Sequence, residues 1–326
     1  MNNYSINSTL LSAGLSQNIA DLRARIKETS SEAVTGRWSD LTQQLSGRIG
    51  DAMLSQKALN DLTDQRGLLS LRETRLDILQ QSLSRVQDSA EGLSTHMLSG
   101  IGSNNTTDVN AAASGSKVAL DTIFSSLNIR HGERYLFSGE ATSTQPFGTT
   151  AGLLDDIRQI AQTATDAADF EAQIDTYFND PTGGWQQGTF AGSANPTDAD
   201  GVTGADPAIT KLVSGLAVMA VSGETDNLAL LRQNPGLVES AAIRTAEGQT
   251  AVTNLRADQG IQQQRIADEQ SALDMEETIL TEAFNKMTGR DQYEAASELR
   301  ELESNLEASY LLTARLSNLS LTNYLR

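Results

Sequence analysis

Proline is confined to one part of this chain, and this distribution constrains the fold more than any other feature. All five prolines lie between Pro146 and Pro235, so the stretches before and after them lack the residue that most strongly breaks a helix. Both flanking stretches also carry apolar residues at steps of three and four, which is typical of amphipathic helices. The sequence therefore predicts a mainly α-helical protein whose long terminal helices flank a different middle region.

The N-terminal stretch predicts three helices. The first covers residues 11–34 and ends at Gly36, a suitable left-handed residue. A long helix is expected over residues 47–99, and after a break a further helix begins with Asp108 as its N-cap. Within the long helix, apolar side chains follow a heptad, which is typical of a helix that packs along one seam. The heptad positions are Leu62, Leu69, Leu76, Leu79, Leu83, Val86, Ala90, Leu93 and Met97.

The middle region, residues 137–243, differs in composition. It carries 3 basic and 14 acidic residues, so it holds a net charge of −11 out of −18 for the whole chain. Its turn-rich sequence predicts a small mixed α/β domain with short strands near Trp185 and at residues 189–190. Short helices are expected at residues 153–164, 169–178 and 209–219.

Helix resumes near residues 234–238 and continues, with a hinge at Gly289, into a last helix over residues 293–325. Long helices at both termini can pair antiparallel if the middle is an insert far from both ends. The predicted fold is therefore a nested pair of long antiparallel helices, a coiled-coil rod, with an inserted α/β outer domain. The expected domains are an inner coiled coil (residues 1–40 with 292–326), a helical rod (41–136 with 244–291) and the acidic outer insert (137–243).

The apolar stripes of the terminal helices are wider than one helical hairpin can cover. Exposed stripes of this kind usually mark an interaction surface, so the sequence predicts that they pack on other copies of the chain. A bundle formed within one chain is the alternative that remains open. The predicted subunit-interface residues are Leu15, Ile19, Leu22, Ile26, Leu306, Tyr310, Leu312, Leu316, Leu319, Leu321, Tyr324 and Leu325.

The residues that carry chemistry are few. The chain has no cysteine and only two histidines, His96 and His131, neither beside a carboxylate cluster. The sequence around Asp198 and Asp200 is similar to a calcium loop, but Pro196 stands where the first acidic ligand should be. We therefore expect no enzyme activity, no cofactor and no metal site. The net charge argues against a nucleic-acid partner. The sequence contains no apolar run long enough to span a membrane, so we expect no membrane partner.

The first residues contain neither a basic segment nor a long apolar segment. They do not resemble a cleavable secretory signal, so we expect the protein to be cytoplasmic or exported by a route that reads no cleaved signal.

Three stretches carry distinctive motifs: Ser320, Leu321, Tyr324 and Leu325 at the end of the last helix, Thr35, Gly36 and Arg37 after the first helix, and the residues from Tyr135 to Phe147. They resemble one family, the flagellin superfamily, and within it the hook-associated proteins of the hook–filament junction. The last helix ends on a similar serine–leucine–tyrosine–leucine pattern, and a threonine–glycine–arginine turn follows the first helix. An aromatic–glycine stretch with a downstream proline–phenylalanine is more similar to the junction proteins than to filament flagellins. The double aspartate–proline that follows the turn in the family is absent here. The turn and stretch residues are Thr35, Gly36, Arg37, Tyr135, Leu136, Phe137, Gly139, Pro146 and Phe147.

This resemblance implies a structural subunit of the bacterial flagellum that forms an adapter ring between hook and filament. It implies type III export with an uncleaved N-terminus, an extracellular location, and terminal helices that fold as they assemble. The implied partners are further copies of the chain, a neighbouring hook-associated protein, flagellin and an export chaperone. A filament flagellin and a cytoplasmic coiled-coil scaffold are the alternatives.

Overall fold

The computed structural model describes residues 8–45, 47–224 and 229–324, with side chains from residue 13 to residue 315. The described chain is mainly α-helical, as the sequence predicts. It divides into two compact units, one of residues 1–66 and 271–326 and the other of residues 67–270. The helices are α1 Ser8–Thr35, α2 Leu41–Leu45, α3 Ile49–Ala90, α4 Leu93–Gly102, α5 Thr106–Leu127, α6 Thr150–Thr163, α7 Ala167–Asn179, α8 Pro207–Ser222, α9 Ala229–Gln233, α10 Pro235–Thr288 and α11 Gln292–Tyr324.

The first unit is built on the pairing of α1 with α11. The two helices run antiparallel, because Val34 lies near Gln292 and Arg25 lies near Glu298. Helix α1 ends as the sequence predicts, with Gly36 in the left-handed conformation at φ 66°. The segments of α3 and α10 in this unit are joined by Arg66, which pairs with Asp274 at 2.9 Å.

The second unit surrounds α8, a largely apolar helix that is buried from Ala208 to Val221 except at Lys211, which is exposed. Helices α5, α6 and α7 pack against it. Helix α10 approaches α8 closely, because a Cβ atom at Gly248 would lie 2.5 Å from the Cα atom of Leu212. The heptad residue Leu62 is buried in the first unit. The other heptad residues of α3 and α4 are buried in the second unit, except Leu93, which is half-buried.

The long predicted helix over residues 47–99 is wrong in one respect, since it is interrupted. Gly92 adopts a left-handed conformation at φ 74° and separates α3 from α4. The predicted N-cap of α5 is also wrong: the side chain of Asn105 accepts the hydrogen bond from Thr107 N–H. Asp108 lies in the first turn instead and accepts a hydrogen bond from Asn105 Nδ2.

The expected strand near Trp185 is wrong as well, because residues Trp185–Thr189 form a single π-helical turn. Residue Phe190 contributes one isolated bridge, to Phe147. The two-stranded sheet that the structure describes is a hairpin of β1 Arg130–His131 and β2 Arg134–Tyr135, before the region where strands were expected. The three short helices of the middle region are confirmed. The α/β insert, the nesting and the three-domain division stay predictions.

Candidate subunit-assembly surface

The predicted interface residues of α1 are half-buried. Leu15, Ile19, Leu22 and Ile26 lie on the helix that packs against α11, and on α11 Leu306 is also half-buried. These side chains therefore contribute part of their surface to the pairing within one copy and leave the rest accessible.

The predicted residues further along α11 are more exposed. Tyr310 is 40% exposed and Leu312 55% exposed, and the adjacent Leu311 is 64% exposed. Arg23 of α1 donates from Nη2 to the Tyr310 hydroxyl at 2.6 Å and holds that ring against α1. The side chains of Leu316, Leu319, Leu321 and Tyr324 lie outside the described side chains, and Leu325 lies outside the described residues.

Several further exposed apolar residues in the first unit were not predicted, among them two on α3 and two on α10. Met53 and Leu54 of α3 are 66% and 67% exposed, and Met275 and Ile279 of α10 are 64% and 67% exposed. The signal on α10 is readable in the sequence, because residues 268–282 carry six acidic and no basic residues. Two apolar residues four positions apart in such a segment form an apolar spot on a charged helix. Several helices of this unit thus expose apolar surface.

Two turns of the chain are joined to each other at the base of α1 and α11. We call residues 35–40 and 288–292 the clasp. Arg290 N–H donates to Gly36 O at 2.8 Å, and Trp38 N–H donates to Thr288 O at 3.1 Å. Arg37 and Gly289 form an antiparallel bridge between these bonds. The clasp therefore connects the end of α1 directly to the junction of α10 and α11.

A buried ionic cluster lies beside the clasp. The Arg290 side chain is only 5% exposed and pairs with Glu32 of α1 and with Glu298 of α11. Its guanidinium also lies over the Trp38 ring, 4.4 Å from the ring centre, in a cation–π contact. Ser39 N–H donates to Glu32 Oε1 at 2.8 Å. The hydrogen bond from Arg290 is the main cause that holds the pKa of the Glu298 carboxyl below its usual range.

The turn residues of the family resemblance belong to the clasp. Thr35 ends α1 and its hydroxyl donates to Ser31 O at 2.8 Å. Arg37 donates to the Asn285 side chain at 3.3 Å and lies over the Phe284 ring at 5.8 Å. The turn thus anchors α1 on the end of α10.

The second group of family residues lies in the core of the second unit. Phe137 and Phe147 are fully buried. Phe147 contacts three other aromatic rings: Phe124, Trp185 and Phe190, with ring centres at 4.7, 5.4 and 5.5 Å. Pro146 O accepts a hydrogen bond from Ala191 N–H at 2.9 Å, whereas Tyr135 and Leu136 are half-buried beside the hairpin.

Gly139 is required by the backbone. Its φ is 59°, and a Cβ atom there would lie 2.2 Å from Ser193 O. The aromatic–glycine stretch is therefore a structural element of the core, and we assign it no ligand.

The acidic loop that is similar to a calcium site binds arginine side chains. Asp200 is buried and accepts from Arg72 Nε at 2.8 Å, and Asp198 pairs with Arg75 at 2.5 Å. In the part of the chain that the structure describes, no group of three or more histidine, aspartate or glutamate residues is placed to hold a metal ion. Among the described helices, none combines the length and the apolar character needed to cross a membrane.

A comparison with protein families identifies one region of the chain. Residues 243–325, which cover most of α10 and α11, match the bacterial flagellin C-terminal helical region. We call residues 243–325 the flagellin C-terminal region, because they are similar to it. This match confirms, for that region, the relation to the flagellin superfamily that the sequence motifs predicted. The flagellin C-terminal region includes Met275 and Ile279, the α10–α11 part of the clasp, and the exposed leucines of α11.

The chain was also compared with solved structures and with curated proteins. Among solved structures, the chain is similar to Bacillus cereus FlgL at 13% identity, with a TM-score of 0.32, over 75% of this chain and 96% of that one. A TM-score of this size does not establish a shared fold. No curated protein matches the chain.

Proposed function

We propose that this chain is a structural subunit of the bacterial flagellum and forms the adapter ring between hook and filament. The observation that carries the proposal is the flagellin C-terminal region, on which apolar side chains are exposed along both helices. In a single copy Met275, Ile279, Leu311 and Leu312 are each more than half exposed. Burying such side chains between copies stabilises an assembly by about 25 cal/mol for each Å² of apolar surface removed from water.

The exposed stripes also indicate how assembly proceeds. Helices α1 and α11 bury only part of their apolar surface against each other, so in one copy their pairing is weakly stabilised. Contact with neighbouring copies supplies the missing surface, and the folding of the terminal segments is coupled to assembly. Protease-resistant terminal segments in the purified single copy would contradict this coupling.

Under this proposal the protein is exported by the flagellar type III apparatus and ends in the extracellular flagellum. Its partners are further copies of itself, a neighbouring hook-associated protein and flagellin, with a chaperone before export. The absence of cysteine from the sequence suits export of an unfolded chain, because no disulfide can form on the way.

The filament itself is the second candidate location, since the matched region is that of bacterial flagellin. The aromatic–glycine stretch from Tyr135 to Phe147 favours the junction, because it resembles the hook-associated proteins more closely.

Immunogold labelling of isolated flagella separates these possibilities. The antibody is raised against residues 137–243, the region that the proposal places outside. Gold confined to the hook–filament boundary is the expected result, and gold along the whole filament would make the chain a filament flagellin. Unlabelled flagella together with cytoplasmic protein would overturn both and favour a scaffold.

A further inference from the structure

We propose that Arg290 is a positioning residue: together with Glu32 and Glu298 it fixes the register in which α1 and α11 pair. The inference does not depend on the flagellar assignment, because it concerns the pairing of two helices within one copy.

The less exposed positions along the two helices cannot fix this register by themselves. On each helix they recur at steps of three and four, so the pattern repeats after seven residues. If α1 slipped along α11 by seven residues, most of these positions would again face similar partners. The positions are Leu15, Ile19, Leu22, Ile26 and Thr29 on α1, and Ala295, Leu299, Leu302, Leu306, Ser309 and Thr313 on α11.

The buried cluster is poorly suited to adding stability. The side chains of Arg290 and Glu32 are 5% and 8% exposed, so both charges have left water. Such pairs often stabilise a protein no more than apolar residues of the same volume would. Arg290 Nε is also buried without a hydrogen-bond partner among the described residues, which adds a further cost.

The same cluster discriminates strongly against other registers. A slip by seven residues moves one helix by about 10 Å along the other, which separates Arg290 from Glu32. Arg290 then keeps only Glu298, on its own side of the slip, and Glu32 loses its ionic partner. The clasp bonds of Gly36 and Trp38 would break too, but water can replace backbone hydrogen bonds at half-buried residues. Water cannot readily replace the ionic partner of a charge that stays buried. We expect the paired register to be favoured about 100-fold or more over a slipped one.

The register can be measured with spin labels, because the chain has no cysteine of its own. Ser16→Cys and Glu294→Cys introduce labels at two exposed positions, one on each helix. The two positions are offset along the axis of the helix pair, because Glu294 lies near the end of α1 and Ser16 near its beginning. A slip by seven residues changes the distance between the labels by up to about 10 Å. Pulsed electron–electron double resonance spectroscopy resolves a change of this size. The full-length chain is measured in trimethylamine N-oxide, which favours the paired helices.

Three cysteine-labelled proteins are compared. The parent is expected to give one narrow distance distribution. The triple variant Glu32→Leu/Arg290→Met/Glu298→Leu keeps apolar volume and removes all three charges, so it is expected to stay helical and to give two or more separated distances. The control Arg25→Met removes an exposed partner of Glu298, 62% exposed, and is expected to keep the single distance.

Each other outcome overturns the proposal. A single narrow distance in the folded triple variant would show that the apolar seams fix the register. Loss of α1–α11 helicity in that variant, measured by circular dichroism, would show that the cluster contributes stability instead. A broad distribution in the parent would show that the cluster fixes no register at all.

Discussion

The substitution Leu312→Asp tests whether the exposed end of α11 is an assembly surface. Leu312 is 55% exposed and belongs to the predicted interface. Fully burying a leucine side chain contributes about 1.5–3 kcal/mol, so covering the part of Leu312 that remains exposed contributes about 1–1.5 kcal/mol per copy. An aspartate loses this contribution to the free energy of association. It also imposes a cost of about 1–3 kcal/mol, because its carboxylate is taken out of water without a hydrogen-bond partner. The association constant should fall by about 100-fold, since each 1.4 kcal/mol is a factor of ten.

The same substitution should change the single copy little. The side chain is largely in water there, and aspartate in a helix costs only about 0.5 kcal/mol relative to leucine. The matched control is Ala314→Asp, which adds the same charge at an exposed residue two positions along the helix. Two residues correspond to about 200° around the helix axis, so the control carboxylate points away from the Leu312 side.

The assay is complementation of a bacterium that lacks the gene, scored by swimming and by the amount of the protein in sheared flagella. Urea unfolding of the purified variants checks their folding. We expect Leu312→Asp to be secreted but absent from flagella, and Ala314→Asp to be incorporated. Normal incorporation of Leu312→Asp would refute the assignment of this surface to assembly. Equal loss in both variants would show that added charge alone prevents incorporation.

Three further predictions concern the second unit, each measured by urea unfolding. Gly139→Ala should destabilise it by more than about 2 kcal/mol, whereas Gly132→Ala, at φ 62° and with open space around its Cβ position, should cost only about 1–2 kcal/mol; similar losses would show that the close contact is unimportant. Phe147→Ala should cost about 3–5 kcal/mol because it empties the centre of the aromatic cluster, and a loss below 1 kcal/mol would contradict the described packing. The hydrogen bond from Arg158 is the main cause that lowers the folded-state pKa of the Glu224 carboxyl, so its stabilising effect is present above the unfolded pKa near 4.5 and is lost as the pH falls through the folded value. Glu224→Gln should therefore be less stable at pH 7 and lose less stability on acidification, and an unchanged pH dependence would refute this.

Much of the helical architecture could be predicted from periodicity and from proline. The end of α1 at Gly36 follows from the left-handed conformation that glycine accepts. The interruption at Gly92 could not be read in the same way, because a glycine within a heptad is compatible with a continuous helix. The strand expected near Trp185 failed because tertiary burial of a large ring decides the conformation of a short aromatic segment.

The clasp lay beyond sequence reasoning for a different reason. Gly36 could be identified as a helix end, and Gly289 as a hinge, but nothing local indicates that these two turns meet. Arg290 and Glu32 are ordinary charged residues in the sequence, 258 positions apart, and a solvated surface is the usual place for such residues. Burial gives them a different role from the leucines of the same helices. The leucines are interchangeable along a repeating seam, whereas the buried Glu32 meets its partner Arg290 in one register only. A repetitive helix pair therefore obtains a unique register from the residues that contribute least to its stability.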